Sequence, residues 1–100
     1  MSHFPSYSEK TINKTIKKKL KEFADIKPGR HWMATISVDG KELVQFGFPN
    51  PHKKEWNLAK WSKLADRMNL SKEKFVDFMK CALSGKDYFQ MLKNEDSQLI

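Results

Sequence analysis

The stretch HWMATISVDGKELVQFGF, residues 31–48, contains two runs in which apolar and polar side chains alternate, separated by Asp39-Gly40. Alternation with a period of two is typical of a strand that buries one face, and Asp-Gly is a common hairpin turn. The stretch therefore predicts an antiparallel hairpin. The apolar rows are Trp32, Ala34, Ile36 and Val38 in the first strand and Val44, Phe46 and Phe48 in the second.

The length of the hairpin loop decides whether both apolar rows lie on one face of the sheet. A regular two-residue Asp39-Gly40 loop would place them on opposite faces, because a shift of one residue reverses every side chain. A three-residue loop, Val38-Asp39-Gly40, keeps the rows together and uses Gly40 as the left-handed residue of a bulge. The predicted pairs are then Ala34 with Val44 and Trp32 with Phe46.

The segment before the hairpin has helical periodicity, with an apolar stripe of Ile12, Ile16, Leu20 and Phe23. Ser6 and Glu9 have the spacing of a capping box, Ser8 is the alternative cap, and Pro28-Gly29 is expected to end the helix. Lysines, Lys19 among them, occupy most of the other positions. This face is either a solvated helix surface or a phosphate-binding surface. The candidate phosphate contacts on this helix face are Lys14, Lys17, Lys18 and Lys21.

The segment after the hairpin predicts helices. Pro49 and Pro51 end the second strand, and a polar loop follows. Asn57 and Ser71 are expected to cap two helices, and Ser84-Gly85 precedes a short terminal helix. The predicted fold class is therefore α+β: a helix, an antiparallel sheet built on one clear hairpin, then C-terminal helices. We expect one domain over residues 1–100, with flexible ends at 1–6 and 94–100.

Composition and charge favour an acidic partner. The net charge is +7 in 100 residues, which favours nucleic acid first and an anionic membrane surface second. The sequence has no apolar run long enough to span a membrane and no signal-peptide pattern, so we expect a cytoplasmic protein. We expect no membrane partner, because the apolar stripe of the first helix is narrow and carries no Trp. Cys81 is the only cysteine and is expected to be a small buried hydrophobe. Neither a nucleotide-binding glycine pattern nor zinc-ligand spacing occurs, so no metal or cofactor is expected.

Residues 64–75, LADRMNLSKEKF, have the pattern of a helix-turn-helix. Ala65 permits close helix crossing, Asn69 tolerates a turn, and Ser71 opens a second helix that carries Lys72 and Lys74. Two helices that pack around a short turn produce the same pattern without binding DNA. The segment therefore leaves both interpretations open.

A longer combination of motifs resembles the HicA toxins, the messenger-RNA interferases of toxin–antitoxin pairs. Gly29-Arg30-His31 lies where that family has Gly-Ser-His, and residues 48–52 match its loop with a proline and a histidine. Leu70, Ser71 and Phe75 match its Leu-Ser-x-x-x-Phe-like turn. The resemblance covers roughly residues 10–76 and differs in Arg30, which replaces the serine of the family, and in its additional C-terminal helices.

The resemblance implies a fold like that of double-stranded-RNA-binding domains, with a third, short strand at residues 23–27. It also implies His31 as the catalytic residue and a HicB-type antitoxin as partner. An imidazole can accept the proton of a ribose 2′-hydroxyl, while cations stabilise charge on the phosphate. The candidate phosphate contacts beyond the helix are Arg30, His52, Lys53 and Lys54.

Two functional hypotheses follow from these observations. The first is an RNA-binding protein of HicA-like type that acts as a metal-independent endoribonuclease through His31. The second is a non-catalytic nucleic-acid-binding module, either an RNA binder of the same fold or a helix-turn-helix DNA binder. In the second, His31 is only a residue at the start of a strand. The oligomeric state is open in both.

Overall fold

The computed structural model describes residues 4–80 and 82–98, and in this part of the chain it confirms the α+β class. Strands and helices are separated along the sequence, with one helix before the main sheet and three after it. In chain order the elements are β1 (Tyr7–Ser8), α1 (Glu9–Leu20), β2 (Asp25–Lys27), β3 (Trp32–Val38), β4 (Lys41–Phe48), β5 (Glu55–Trp56), α2 (Leu58–Arg67), α3 (Lys72–Met79) and α4 (Gly85–Gln98).

The main sheet has three antiparallel strands in the order β2-β3-β4, and β1 pairs with β5 in a separate two-stranded sheet. β2 corresponds to the short strand predicted within residues 23–27. The expectation that the first helix continues to Pro28-Gly29 is wrong. α1 ends at Leu20, because residues 25–27 pair with β3.

The hairpin register differs from the predicted one. Asp39 and Gly40 form a two-residue turn between the paired residues Val38 and Lys41, and both have positive φ, 52° and 82°, as a type I′ turn requires. A β-bulge follows, because Ser37 pairs with Glu42 while Ile36 pairs with Val44, which leaves Leu43 as an extra residue. The bulge brings both apolar rows to one face. The observed pairs are Ala34 with Phe46 and Trp32 with Phe48.

The apolar face of the sheet and the helices form one hydrophobic core. Its aromatic centre is Trp61, whose ring stacks on Phe75 with centroids 4.9 Å apart. The opposite face of the sheet is open, and it carries Met33, 37% exposed, and the exposed Gln45. The fully buried residues of the core include Ile12, Ile16, Leu20, Ala34, Ile36, Trp61, Met68, Phe75, Phe78 and Tyr88.

All four described helices begin at polar caps, and the cap of α4 is Ser84, whose Oγ accepts a hydrogen bond from the Asp87 amide at 3.1 Å. Ser8 caps α1, since its Oγ accepts a hydrogen bond from the Thr11 amide at 3.1 Å, so the alternative cap is correct and Ser6 is not. Asn57 caps α2 and Ser71 caps α3, as the sequence predicts. Asn69 has the positive φ, 61°, that its place in the turn between these helices requires.

The C-terminal helix packs closely against the first. A Cβ added at Gly85 would lie 1.8 Å from the Lys19 carbonyl oxygen, so only glycine permits this approach.

Both ends of the described chain belong to the fold. α4 extends to Gln98, and near the N-terminus the Phe4 ring packs against Trp61 with centroids 5.9 Å apart. The other positions expected to be flexible, residues 1–3, 99 and 100, lie outside the described residues, as does Cys81. Within 4–80 and 82–98, no helix has the length and apolar character of a membrane span.

Candidate nucleic-acid interface

The lysines of α1 line a groove, which we call the lysine groove. Its volume is about 1000 Å³. Ile12, Ile16 and Leu20 anchor the opposite side of α1 in the core, so the helical spacing directs the lysines away from it. The lining residues are Lys10, Asn13, Lys14, Lys17, Lys18, Lys21, Ala24, Ile26 and Pro51.

The charge of the lysine groove has one sign. Among the residues that the structure describes, all five ionisable residues that line it are lysines, and each is exposed. Lys17 is partly ordered, because its Nζ lies 4.3 Å from the centre of the Trp32 ring in a cation–π contact. The other four lysines are exposed, and a row of exposed ammonium groups suits a phosphodiester backbone.

Lys19 does not belong to this surface, contrary to the expectation that it shares the solvated or phosphate-binding face of the helix with the other lysines. Its Nζ donates hydrogen bonds to the carbonyl oxygens of Phe78, Lys80 and Leu83, the last at 2.9 Å. These carbonyls lie at and just after the C-terminal end of α3, where the helix dipole favours a cation. Lys19 therefore holds α1 against the junction between α3 and α4.

A second concavity, the histidine cleft, has a volume of about 780 Å³ and contains both His31 and His52. His31 and Arg30 precede β3, and His52 lies in the loop after β4, so the cleft joins residues that are distant in the chain. α2 contributes two cations from its exposed side. The lining residues are Glu9, Arg30, His31, Met33, Gln45, Phe46, Gly47, Phe48, Pro49, Asn50, His52, Trp56, Lys60 and Arg67.

Hydrogen bonds fix the loop that carries His52. Asn50 Nδ2 donates to the Arg30 carbonyl oxygen at 2.8 Å, which joins the two histidine-bearing segments. Asn13, the one polar side chain identified as buried in the described core, donates through Nδ2 to the Pro49 carbonyl oxygen at 2.9 Å. The Lys10 amide of α1 donates to the His52 carbonyl oxygen at 2.9 Å. These bonds hold the loop against α1.

The charged groups of the histidine cleft are mainly cationic. Arg30, Lys60 and Arg67 line it together with one carboxylate, Glu9. Glu9 Oε2 accepts a hydrogen bond from Trp56 Nε1 at 3.0 Å, and Lys60 Nζ lies 5.1 Å from the Trp56 ring centre. The cleft therefore suits an anion. No group of three or more potential metal-ligating side chains occurs among the described residues.

The loop at residues 49–52 separates the two concavities. Pro51 lines the lysine groove, whereas Pro49, Asn50 and His52 line the histidine cleft. Asn13, which lines the groove, donates a hydrogen bond to the carbonyl oxygen of Pro49, which lines the cleft. One ligand that follows the groove across Pro51 would thus enter the cleft.

The structure divides the sequence-predicted site residues between these two surfaces. Lys14, Lys17, Lys18 and Lys21 line the lysine groove, and Arg30, His31 and His52 line the histidine cleft. Lys53 and Lys54 are exposed in the loop but line neither.

Sequence reasoning placed Lys10 on the lysine face without naming it as a contact, and it missed Asn13 in the groove and Lys60 and Arg67 in the cleft. The spacing of Lys60 and Arg67, two helical turns apart on a polar face, is the signal that could have paired them.

The helix-turn-helix segment forms two helices, as its pattern indicates. α2 and α3 are joined by residues 68–71, and Lys72 and Lys74 are exposed near the start of α3. Phe75 is fully buried against Trp61, so α3 also has a packing role. The geometry is compatible with either interpretation of this segment.

No protein-family model, curated protein or solved structure matches the chain. The resemblance to the HicA toxins therefore rests on the short motifs described above.

Proposed function

We propose that this protein binds RNA, with the phosphate backbone in the lysine groove. The observation that carries the proposal is that, within residues 4–80 and 82–94, the five ionisable residues lining the groove are all lysines. Such a surface attracts any polyanion, because neutralised phosphates release their counterions. RNA is favoured over DNA by the adjoining histidine cleft and by the resemblance to HicA toxins. The cytoplasmic location expected from the sequence agrees with such a ligand.

Three matched double variants test which surface binds. Each replaces two exposed lysines by glutamine: Lys14 and Lys18 in the groove, Lys72 and Lys74 on α3, and Lys63 and Lys86 on neither surface. All three change the net charge equally. Lys17 is left intact because its contact with Trp32 would add a stability effect.

Affinity for a single-stranded RNA should fall steeply with salt, since each phosphate contact contributes about −0.7 to the slope of log affinity against log salt. Five contacts give a slope near −3.5, so affinity should fall roughly 130-fold between about 50 and about 200 mM salt. The groove variant, with three contacts left, should fall only about 20-fold. If the α3 variant alone loses affinity, and loses it for duplex DNA, the helix-turn-helix alternative is correct.

We further propose that the histidine cleft cleaves the bound RNA. The supporting observation is that His31, His52 and Arg30 line one cleft although the histidines lie in separate segments. His31 accepts the proton of a ribose 2′-hydroxyl, whose oxygen then attacks the adjacent phosphorus, and Arg30 stabilises the negative charge of the phosphorane. This chemistry requires no metal ion.

The cleavage proposal is tested with His31→Ala. His31 is exposed, so its replacement should leave the fold and RNA affinity nearly unchanged while it abolishes cleavage. The wild type should form 2′,3′-cyclic phosphate ends in the presence of chelator and should not cleave DNA. Arg30→Ser restores the residue of the HicA motif, and loss of activity would show that Arg30 stabilises the phosphate here. Intact RNA after incubation with the wild type would favour the non-catalytic module.

The partner that the resemblance implies, a HicB-type antitoxin, belongs to the same proposal. Such a partner should compete with RNA for the cationic surfaces. Co-expression with the product of an adjoining reading frame tests it, and a stable complex that no longer binds RNA is the expected result. A complex that still binds RNA with full affinity would contradict this role.

A further inference from the structure

We infer that His52 is the general acid of the cleavage reaction, the partner of His31. This inference rests on the proposed cleavage activity and assigns the second proton transfer that the reaction requires. His52 lines the same cleft as His31 and is exposed to it.

The reaction needs two proton transfers. The 2′-hydroxyl loses its proton to His31, the 2′-oxygen forms a bond to phosphorus, and the bond from phosphorus to the 5′-oxygen breaks. That 5′-oxygen leaves with the electron pair and takes a proton from the imidazolium of His52. The products are a 2′,3′-cyclic phosphate and a 5′-hydroxyl, so no oxidant, reductant or other reactant is needed.

The other ionisable groups of the histidine cleft suit this transfer less well. The Glu9 carboxylate already accepts a hydrogen bond from Trp56 Nε1. Arg30 and Arg67 have guanidinium groups, which do not release a proton in proteins. Lys60 lies against the Trp56 ring. An imidazole, which exchanges its proton near neutral pH, is therefore the appropriate acid.

Hydrogen bonds fix the backbone position of His52, from which its imidazole side chain extends. The His52 amide donates to the Asn50 carbonyl oxygen at 2.8 Å, and its carbonyl oxygen accepts from the Lys10 amide at 2.9 Å. Asn50 in turn donates through Nδ2 to the Arg30 carbonyl oxygen, next to His31. Asn50 thus links the segments that carry the two histidines.

The position of His52 also relates it to the lysine groove. The preceding residue, Pro51, lines that groove, while His52 lines the cleft. An RNA strand whose phosphates follow the lysines of α1 therefore reaches His52 where it crosses the loop.

The decisive experiment uses an RNA oligonucleotide with sulfur in place of the bridging 5′-oxygen at one linkage. A thiolate leaves without a proton, because it is a far more stable anion than an alkoxide. Cleavage of the sulfur and oxygen substrates is compared for the wild type, His52→Ala, His31→Ala and the control Lys63→Ala. Affinity for 2′-O-methyl RNA, which cannot react, and the melting temperature are measured for each variant.

On the oxygen substrate, both histidine variants should lose about 10²- to 10⁴-fold in rate, the usual contribution of a general acid or base. On the sulfur substrate, His52→Ala should recover nearly to the wild-type rate, whereas His31→Ala should stay impaired. Equal losses of His52→Ala on both substrates, or no loss on either, would overturn the role of His52.

The same measurements separate this inference from the functions on which it rests. A wild type that binds 2′-O-methyl RNA but cleaves neither substrate excludes cleavage, and with it the acid–base pair, but leaves RNA binding standing. A wild type that binds no RNA excludes RNA binding, cleavage and the acid–base pair together. Recovery of His31→Ala instead of His52→Ala would overturn the assignment by reversing the roles.

Discussion

The hydrogen bond between Asn13 and the Pro49 carbonyl oxygen joins α1 to the loop of the histidine cleft, and Asn13→Ala should measure its contribution. Asn13 is 2% exposed, and its Nδ2 lies 2.9 Å from the acceptor. The alanine variant leaves the Pro49 carbonyl oxygen without this donor in a buried position. Such a loss costs about 1–3 kcal/mol in the free energy of unfolding. For a chain of this size, that corresponds to a melting temperature lower by roughly 5–20 °C.

The assay is thermal unfolding followed by circular dichroism, with Asn94→Ala as the matched control. Asn94 is exposed on α4, so its replacement should change the free energy of unfolding by less than about 0.5 kcal/mol. Asn13→Asp should be less stable than Asn13→Ala at neutral pH, because it faces a carbonyl oxygen with a buried carboxylate. Equal melting temperatures for Asn13→Ala and Asn94→Ala would refute the reasoning.

Three further substitutions probe the packing around the site by unfolding measurements. Gly85→Ala should destabilise the fold by about 1–3 kcal/mol or more, because the new Cβ would lie 1.8 Å from the Lys19 carbonyl oxygen. An unchanged free energy of unfolding would show that α1 and α4 can move apart at no measurable cost. Lys19→Met should cost about 1–3 kcal/mol, since the carbonyl oxygens at the end of α3 lose their cationic donor. Tyr7→Phe should leave stability equal or higher, because the buried Tyr7 hydroxyl has no hydrogen-bond partner among the described residues. Burial raises the pKa of Tyr7 above its usual 10.0. The wild type should therefore lose stability above pH 10.0, and Tyr7→Phe should lose less.

The hairpin shows how far sequence reasoning reaches in the fold. The demand that Trp32 and Phe48 share one buried face follows from alternation alone, and the structure satisfies it. The predicted register of the hairpin was wrong, because two different hairpin geometries place both apolar rows on one face. The chain combines a type I′ turn at Asp39-Gly40 with a bulge at Leu43, and nothing local in the sequence distinguishes this from a three-residue loop.

The two concavities differ in how much of them was predictable. The lysines of α1 occupy one helix, so their common face follows from helical spacing. The histidine cleft depends on tertiary contacts, because α2 brings Lys60 and Arg67 to a surface formed by residues 30–52. Lys19 was wrongly grouped with the other lysines of α1 for a similar reason: its acceptors lie at the end of α3, far away in the chain.

The most direct test of the central claim, that RNA occupies the lysine groove, is a titration of ¹⁵N-labelled protein with 2′-O-methyl RNA, followed by amide chemical shifts. The account predicts that the largest changes fall on residues 10–21, which cover most of α1 and the residue after it, with changes at His52 in the adjoining loop and little change along α3. Changes concentrated at Lys72 and Lys74, or none at all at saturating RNA, would contradict the claim.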